Sequence, residues 1–273
     1  MRSYPLYLEC ALRLSRLFAI FFPSKSLRAK VRSLPFVLAH RTFCRFQKDT
    51  IQADIFISLG EACKPALHLR NYGLRKLSSP LDWMMCYDLD EAYRCFEVGF
   101  GDFFEKCYEE KSKSAKERYV VSTSNAGMVS IHAFPKSIPL NQYLPTFRKT
   151  MQCRFDRLKS KILACDCVAF VCGRTNSIEE LADFGKKIGK LFERESKTRE
   201  RERERESKPR IIIINIRHKE NIPKNQITKE VLDFGENLQV VEFICDDTSI
   251  NEKKYFLGNT LAWHSVMLNL RLS

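Results

Sequence analysis

Apolar and polar residues alternate along the chain in blocks that predict strands separated by helices. Apolar runs predict strands at 54–58, 119–122, 128–132, 167–172, 211–216 and 238–244. The last three runs are almost continuously apolar, which is typical of strands buried on both faces of a parallel sheet. The chain is therefore expected to contain a largely parallel sheet that is covered on both sides.

Segments between these runs have the polarity of helices. They lie at 63–73, 88–100, 144–165, 177–195 and 258–272. Pro65 in the first turn and Gly73 at the end delimit one of them, and Ser177 with Glu180 has the spacing of a capping box. Strands that alternate with helices predict an α/β fold, a three-layer sandwich with a mostly parallel central sheet.

Residues 1–50 differ from the rest of the chain in charge. They hold ten Lys or Arg against Glu9 and Asp49, so they carry +8 of the total charge of +13. An apolar helix is predicted at 5–21, followed by a basic one. This pattern fits attachment to an anionic membrane surface, and it equally fits a helix docked on the main domain. We predict a basic amphipathic extension over 1–50 and a single α/β domain over 51–273.

A charged repeat interrupts the predicted domain at 193–210. The sequence ERESK occurs twice there, with alternating Arg and Glu between the copies. The segment contains no apolar residues to bury, although its charges could pair along an extension of the preceding helix. Its equal acid content argues against binding to nucleic acid, so nucleic acid is not an expected partner.

The eleven cysteines do not require disulfide bonds, because a chain of 273 residues can build a core without them. The apolar run at 17–23 is too short to span a bilayer, and no secretory signal is recognised. We expect a cytoplasmic protein, located peripherally on the inner face of the membrane if the extension binds lipid. Cys165, Cys167 and Cys172 alternate along a strand and predict no metal site; no cofactor is expected.

Candidate chemistry lies where the predicted strands end, because ligands bind at the carboxyl edge of open parallel sheets. A thiol and an imidazole follow early strands, while amide, guanidinium and carboxylate groups follow later ones. These residues are Gly60, Glu61, Cys63, His132, Gly173, Arg174, Asn215, Arg217, His218, Asp246 and Asp247. A thiol, an imidazole and an acid or amide are the components of a nucleophilic site.

Cys63 is the cysteine with a physical case for reactivity. It stands in the first turn of a predicted helix, where free N–H groups and the helix dipole favour a thiolate and can stabilise an oxyanion. Local sequence alone favours the other interpretation, in which Cys63 is a thiol packed on the sheet. The same applies to His132, a single histidine at the end of an apolar strand, which becomes a candidate base only if Cys63 is near.

The segment SPLDWMM (79–85) supplies a further acid and an aromatic ring. Asp82 either orients His132 or caps the next helix. Arg70 and Arg75 precede this segment and are candidates to pair with Asp82 or to bind an anionic substrate. Trp83 is included as a candidate substrate contact.

The stretch DIFISLGEACKPALHLRNYGLRKLSSPLDWM, followed by SIHAFP at 130–135, resembles the putative papain-like cysteine peptidase family, a bacterial domain of unknown function numbered 1796. The resemblance covers roughly residues 53–273. It implies Cys63 as the nucleophile and His132 as the base, with Asp82 first and Asn215 second as candidates for the third member. It also implies, as an alternative fold, a papain-like α+β arrangement.

Two functional hypotheses follow. The first is a cysteine-dependent hydrolase or acyl transferase of the papain-like type with an unknown substrate. Gly60, Glu61, Trp83, Arg70, Arg174 and Asn215 are its candidate substrate-binding residues. The second is a protein of surface-polysaccharide synthesis that binds a sugar or nucleotide-sugar through arginines at the sheet edge, with Cys63 purely structural.

Overall fold

The structure is a computed structural model that describes residues 4–60, 62–111, 114, 116–199, 209–249 and 252–273. Helices in these ranges are α1 (Leu6–Ala19), α2 (Lys25–Phe43), α3 (Lys64–Asn71), α4 (Leu89–Glu97), α5 (Leu140–Ile162), α6 (Ile178–Arg199) and α7 (Thr260–Leu268). Short 3-10 helices occupy Cys44–Phe46 and Glu252–Leu257.

Strands occur in three sheets. They are β1 (Ile51–Ala53), β2 (Ile55–Ser58), β3 (Met84–Met85), β4 (Cys107–Glu110), β5 (Tyr119–Ser122), β6 (Val129–Ser130), β7 (Cys167–Cys172), β8 (Arg210–His218), β9 (Thr228–Asp233), β10 (Leu238–Cys245) and β11 (Leu270–Leu272). The molecule is therefore a mixed α/β protein.

The largest sheet has the order β2-β7-β8-β10-β9. Its first four strands are parallel, and β9 runs antiparallel to β10 at the edge. The predicted strands at 54–58, 167–172, 211–216 and 238–244 all lie in this sheet.

Apolar side chains cover both faces of the five-stranded sheet because alternate residues of each strand point to opposite sides. On one face, Phe170 and Ile213 join a cluster that includes residues of α4, α5 and α6. On the other, Ala169 and Ile214 join a cluster with residues of α1, α2, α3 and α7. The runs in the sequence are almost continuously apolar because both faces of these strands are buried.

The predicted strands at 119–122 and 128–132 do not belong to the parallel sheet. They form part of a separate antiparallel sheet with the order β3-β6-β5-β4, in which β6 is only Val129–Ser130. Their short runs carried no signal of strand direction. The prediction of one mostly parallel sheet is thus corrected to several sheets of mixed direction.

Helices α1 and α2 pack on the core through their apolar faces. Leu8, Leu12 and Phe36 are buried in the same cluster as Trp263, and His40 Nε2 lies 2.7 Å from the carbonyl oxygen of Leu270. Part of the basic extension therefore contacts the α/β core. Among the described residues, no helix combines the length and apolarity needed to cross a membrane.

The charged repeat is described only in part. Helix α6 continues through Arg199, so the start of the repeat extends the preceding helix, while residues 200–208 lie outside the described residues.

Candidate functional site

The turn between β2 and α3 depends on Gly60. A Cβ atom on this residue would lie 2.7 Å from Cγ of Pro65 and 2.9 Å from the carbonyl oxygen of Ala62. Any larger residue would push α3 away from the end of β2, because real Cβ atoms do not approach other atoms so closely. Glu61, the next predicted site residue, lies outside the described residues.

Cys63 is the N-cap residue of α3. Its backbone is already helical (φ −66°, ψ −11°), and its carbonyl oxygen accepts a hydrogen bond from the N–H of Leu67 at 3.0 Å. The side chain is half-buried and has no disulfide partner. Burial raises the pKa of the Cys63 thiol, so at neutral pH the thiol is protonated and needs a base before it can attack.

The exposed side of α3 connects Cys63 with Arg70. The two residues are seven positions apart, which is two helical turns, so they lie on the same face with about 10 Å between them along the axis. Leu67 lies between them and is partly exposed, as Cys63 is, while Arg70 is exposed. The thiol therefore opens on the side of the helix that ends at Arg70.

A cavity of about 560 Å³ lies at the Arg70 end of α3. Its polar lining includes three arginines, an indole, an imidazole and a phenol: Arg70, Arg75, Arg154, Trp83, His132 and Tyr143. Met84, Phe147 and Met151 supply apolar walls. The cavity has the size and mixed lining of a small-molecule site, and none of the described residues that line it carries a carboxylate.

Trp83 holds two of the arginines. The guanidinium carbons of Arg70 and Arg75 lie 5.2 and 5.5 Å from the centre of its ring, within the range of cation–π attraction. Burial is the main cause that lowers the pKa of both Arg70 and Arg154, and the charge of Arg75 lowers it further. The positive charges are thus close together and partly removed from water.

Asp82 is the carboxylate behind the cavity, and it is 1% exposed. Its oxygens accept hydrogen bonds from Ser58 Oγ at 2.7 Å, from Arg75 Nη1 at 2.5 Å and from the Ser79 N–H at 3.0 Å. Burial raises the pKa of Asp82, and Arg75 and the two hydrogen bonds oppose this shift. These contacts attach the Trp83 loop to the end of β2. Asp82 thus bonds to Ser58, Arg75 and Ser79 and not to His132, which it was expected to orient.

His132 faces Glu117. Nδ1 of the imidazole lies 3.2 Å from Oε2 of Glu117, and the ring meets Trp83 edge-on with 6.2 Å between centroids. A β-bridge between Glu117 and Pro135 brings the two segments together. If Nδ1 carries the proton and donates it to Glu117, Nε2 has the free lone pair of a general base.

The structure does not join Cys63 directly to His132. Among the described residues no hydrogen bond links the two side chains, and Cys63 is not part of the cavity lining. The distance of about 10 Å along α3 instead separates the thiol from the arginine end of the site.

A comparison with protein-family models identifies the chain. The model described as "Putative papain-like cysteine peptidase (DUF1796)" matches residues 54–219, which is more than half of the sequence. The chain belongs to this family. No curated protein and no solved structure matches it.

Two predicted substrate contacts of this DUF1796 protein lie in the interior instead of the cavity. Arg174 is 2% exposed and donates hydrogen bonds to the carbonyl oxygens of Leu59 and Tyr87. Asn215 is fully buried and bonds to the backbone of Arg174 and to Glu242. Both join neighbouring strand ends, a role that sequence position at a strand end cannot distinguish from ligand binding.

The carboxyl end of β10 contributes an ion pair at the start of α3. Asp247 bonds to Lys64 Nζ at 2.5 Å and to Trp263 Nε1 at 2.9 Å, and Trp263 stacks on the ring of His68 at 4.5 Å. Asp246 pairs with Lys224, and the pKa of Asp246 is lowered to about 2, since its hydrogen bonds outweigh the opposing effect of burial. These acids stabilise the loop after β10.

The DUF1796 site includes residues that the sequence did not reveal. Glu117 stands in a charged loop, and Arg154 and Tyr143 lie on α5, far along the chain from Cys63. Arg154 is one of several basic residues on the amphipathic helix α5, so its polarity gave no signal that it faces the cavity. Within the described residues, no group of three His, Cys, Asp or Glu side chains is arranged to hold a metal ion.

Proposed function

We propose that this protein is a cysteine-dependent hydrolase or acyl transferase, with Cys63 as the nucleophile and His132 as the base. The observation that carries the proposal is the shared face of α3, on which the half-buried thiol and the cavity residue Arg70 both lie. Membership of a family described as papain-like cysteine peptidases supports the same chemistry. In this proposal the five-stranded sheet is the central layer of a three-layer α/β scaffold.

The reaction has two steps. The Cys63 sulfur forms a bond to a substrate carbonyl carbon while its proton passes to Nε2 of His132, and the leaving group then departs with that proton. Water or an acceptor nucleophile afterwards breaks the thioester and regenerates the thiol. N–H groups in the first turn of α3 are suited to stabilise the oxyanion, because they have no partner within the helix.

Glu117 takes the orienting role that the sequence had assigned to Asp82 or Asn215. Its carboxylate is within hydrogen-bond reach of Nδ1 of His132, whereas Asp82 and Asn215 are engaged elsewhere. Substrate binding must bring the imidazole to the thiol, directly or through one water molecule, since proton transfer requires about 3 Å between heavy atoms. His132 is half-exposed after β6, and its approach to the thiol requires a change in its contacts with Glu117 and Trp83.

Hydrolysis of p-nitrophenyl acetate by the full chain tests the nucleophile. We expect Cys63→Ser to abolish the reaction and Cys153→Ser, which removes an exposed thiol on α5, to leave it unchanged. Equal loss in both variants would indicate unspecific thiol chemistry, and full activity of Cys63→Ser would refute the proposal.

His132→Gln and Glu117→Gln test the base. Removal of a general base costs roughly 10²–10⁴-fold in rate, and Glu117→Gln should cost less because it only loosens the imidazole. Glu97→Gln, at an exposed position on α4, is the matched control. A rate for His132→Gln equal to that of the unmodified chain would exclude His132 as the base.

A second proposal concerns location, and a separate surface supports it. Leu17, Phe18 and Phe21 at the end of α1 are 61–82% exposed. The same segment carries most of the net positive charge of the chain. We propose that this surface attaches to anionic lipid, with apolar side chains in the acyl boundary and Lys and Arg at the headgroups.

Sedimentation with vesicles tests the attachment. Vesicles with anionic phosphatidylserine should bind the chain, vesicles of phosphatidylcholine alone should bind it weakly, and the double variant Phe18→Ser/Phe21→Ser should lose most of the binding. Tyr255→Ser, which removes an exposed ring elsewhere, serves as the control. Equal sedimentation of all three proteins would contradict the proposal.

A further inference from the structure

The cavity at the end of α3 holds more positive charge than the nearby carboxylate of Asp82 balances. Of its three arginines, Arg75 pairs with Asp82. Arg70 and Arg154 have no carboxylate partner among the described residues, and Arg154 donates only to the sulfur of Met151, at 3.7 Å. Two guanidinium groups thus face a partly buried cavity without an anion.

We infer that this cavity binds a phosphate-bearing ligand, with Arg70 and Arg154 as its direct contacts and Trp83 and Arg75 as positioning residues. The planar guanidinium fork matches the spacing of phosphate oxygens and offers paired donors. Two guanidinium groups that face one space suit the two charges of a phosphate dianion better than the single charge of a carboxylate. The inference deepens the proposed function by naming the group that anchors the substrate, although it rests on the cavity alone.

The arginines are held ready for a ligand. The Trp83 ring contacts both Arg70 and Arg75, and Asp82 fixes Arg75 from behind through a buried ion pair. Burial and the charge of Arg75 make the charged forms of Arg70 and Arg154 less stable than in water, and the charge of Asp82 partly opposes this effect. A bound anion would relieve the repulsion from Arg75, and the contacts of Trp83 with Arg70 and Arg75 lower the cost of ordering these two side chains on binding.

The volume of about 560 Å³ exceeds the size of inorganic phosphate. Ser78, Tyr143 and Thr150 line the remainder with hydroxyl groups, and Met84, Phe147 and Met151 make an apolar side. The ligand is therefore expected to be an organic phosphate with a polar, partly apolar body. Its reactive end would lie along the exposed face of α3, about 10 Å from Arg70, where Cys63 is located.

Calorimetric titration of the full chain with inorganic phosphate, pyrophosphate, UDP-glucose and citrate at fixed salt tests the inference. We expect pyrophosphate or UDP-glucose to bind more tightly than phosphate, and citrate to bind weakly or not at all. Tighter binding of UDP-glucose than of pyrophosphate would show that the cavity recognises the body of the ligand. Preference for citrate would overturn the phosphate assignment.

Variants identify the contacts. Arg154→Gln and Arg70→Gln should each weaken pyrophosphate binding about tenfold or more, as expected for the loss of a charged hydrogen bond. Arg157→Gln makes the same charge change one turn along α5, at an exposed position outside the cavity lining, and should leave affinity nearly unchanged. Equal weakening by Arg157→Gln would reduce the effect to general electrostatics and refute the site.

The inference and the proposed enzyme can fail separately. Cys63→Ser should bind pyrophosphate as the unmodified chain does, because the thiol is not part of the cavity lining. Absence of pyrophosphate binding, together with ester hydrolysis that depends on Cys63, would refute the phosphate site and leave the nucleophile intact. Pyrophosphate binding without ester hydrolysis would support the phosphate site and refute Cys63 as a nucleophile.

Discussion

The two ends of α3 are held by similar ion pairs in different surroundings. At the start, Lys64 and Asp247 pair where their side chains are 25% and 10% exposed. At the far end, Arg75 and Asp82 pair with 13% and 1% exposure. The first pair lies beside the half-buried thiol, and the second lies behind the cavity of arginines.

The two ends of α3 therefore suit different tasks: the start is suited to react with a substrate, and the far end is suited to hold it. The start of α3 presents one neutral thiol, whose pKa is raised by burial, near helix N–H groups. The far end presents concentrated positive charge on a framework that a buried carboxylate fixes. A substrate that spans both ends would be anchored by charge at one end and would react at the other.

Asp82→Asn should have the largest effect. It leaves Arg75 without its carboxylate and removes a charged acceptor from Ser58 and Ser79. We expect a loss of about 3 kcal/mol in the free energy of unfolding, the lower range for a broken buried pair. Urea denaturation measures it, with Asp90→Asn, from the exposed pair with Lys187, as a control that costs under about 1 kcal/mol. If Asp82→Asn lowers the free energy of unfolding no more than the control does, the desolvation of the Asp82 carboxylate cancels the stabilisation from Arg75, Ser58 and Ser79.

The free energy of unfolding should depend on pH because of His68, which lies within α3. Burial lowers the pKa of His68 to about 4, with Asp247 opposing and Lys64 reinforcing the shift. The unfolded chain therefore binds a proton from about pH 6.5 downward that the folded chain refuses, so stability is full above that pH and falls as pH decreases towards 4. The loss at pH 5 is about 2 kcal/mol for this residue.

Denaturation of the unmodified chain and of His68→Gln at pH 7 and pH 5 measures this term. The variant should lose about 2 kcal/mol less between the two pH values. His264, whose pKa burial also lowers to about 4, contributes a similar slope that remains in the variant. An unchanged slope would show that His68 is not buried as a neutral side chain.

Asp247→Asn should have a smaller effect than Asp82→Asn. The ion pair with Lys64 is partly solvated, and the side-chain oxygen of asparagine can still accept the hydrogen bond of Trp263 Nε1. We expect a loss of about 1.5 kcal/mol in the free energy of unfolding by urea denaturation. A loss larger than that of Asp82→Asn would mean that the Lys64–Asp247 pair stabilises the fold more than the Arg75–Asp82 pair does.

The smallest expected effect is a shift in the pH at which Cys63 is alkylated, compared with an ordinary thiol. Because burial raises the pKa of this thiol, iodoacetamide should modify it with a midpoint above the ordinary thiol value of about 8.5. The rate at Cys153, exposed on α5, is the internal reference and can be followed by mass spectrometry. A midpoint below 8.5 would mean that the helix dipole outweighs burial and that the resting thiol is already activated.

The apolar pattern predicted the strands that are buried on both faces, and it also located β5 and β6, but it missed shorter or more exposed strands such as β3 and β9. β7, β8 and β10 lie where the continuous runs indicated, because burial on both sides leaves little room for polar residues. β9 escaped because its side chains are half-exposed or exposed. The two-residue strand β3 depends on its pairing with β6, and β6 lies within the predicted run at 128–132 but is only two residues long.

The site followed the same rule. Arg70, Trp83 and His132 were named from their neighbours in sequence, and the structure brings these three to one cavity; their role in binding or catalysis stays a prediction. Glu117 and Arg154 reach the same place through a β-bridge and through the packing of α5. Contacts of this kind depend on the tertiary fold, so the group expected to orient His132 was sought in the acid Asp82 and the amide Asn215 instead.

The antiparallel strand β9 has a consequence for how copies of the protein behave towards each other. A row of parallel strands ends in unpaired backbone groups that invite another chain to add on and grow a fibril. β9 caps that row, and it carries Lys229, Glu230 and Asp233 on its short length. A charged terminal strand of this kind discourages stacking in register, so the protein should stay dispersed at high concentration even though 15 of the 27 residues in the parallel strands behind it are isoleucine, valine or phenylalanine.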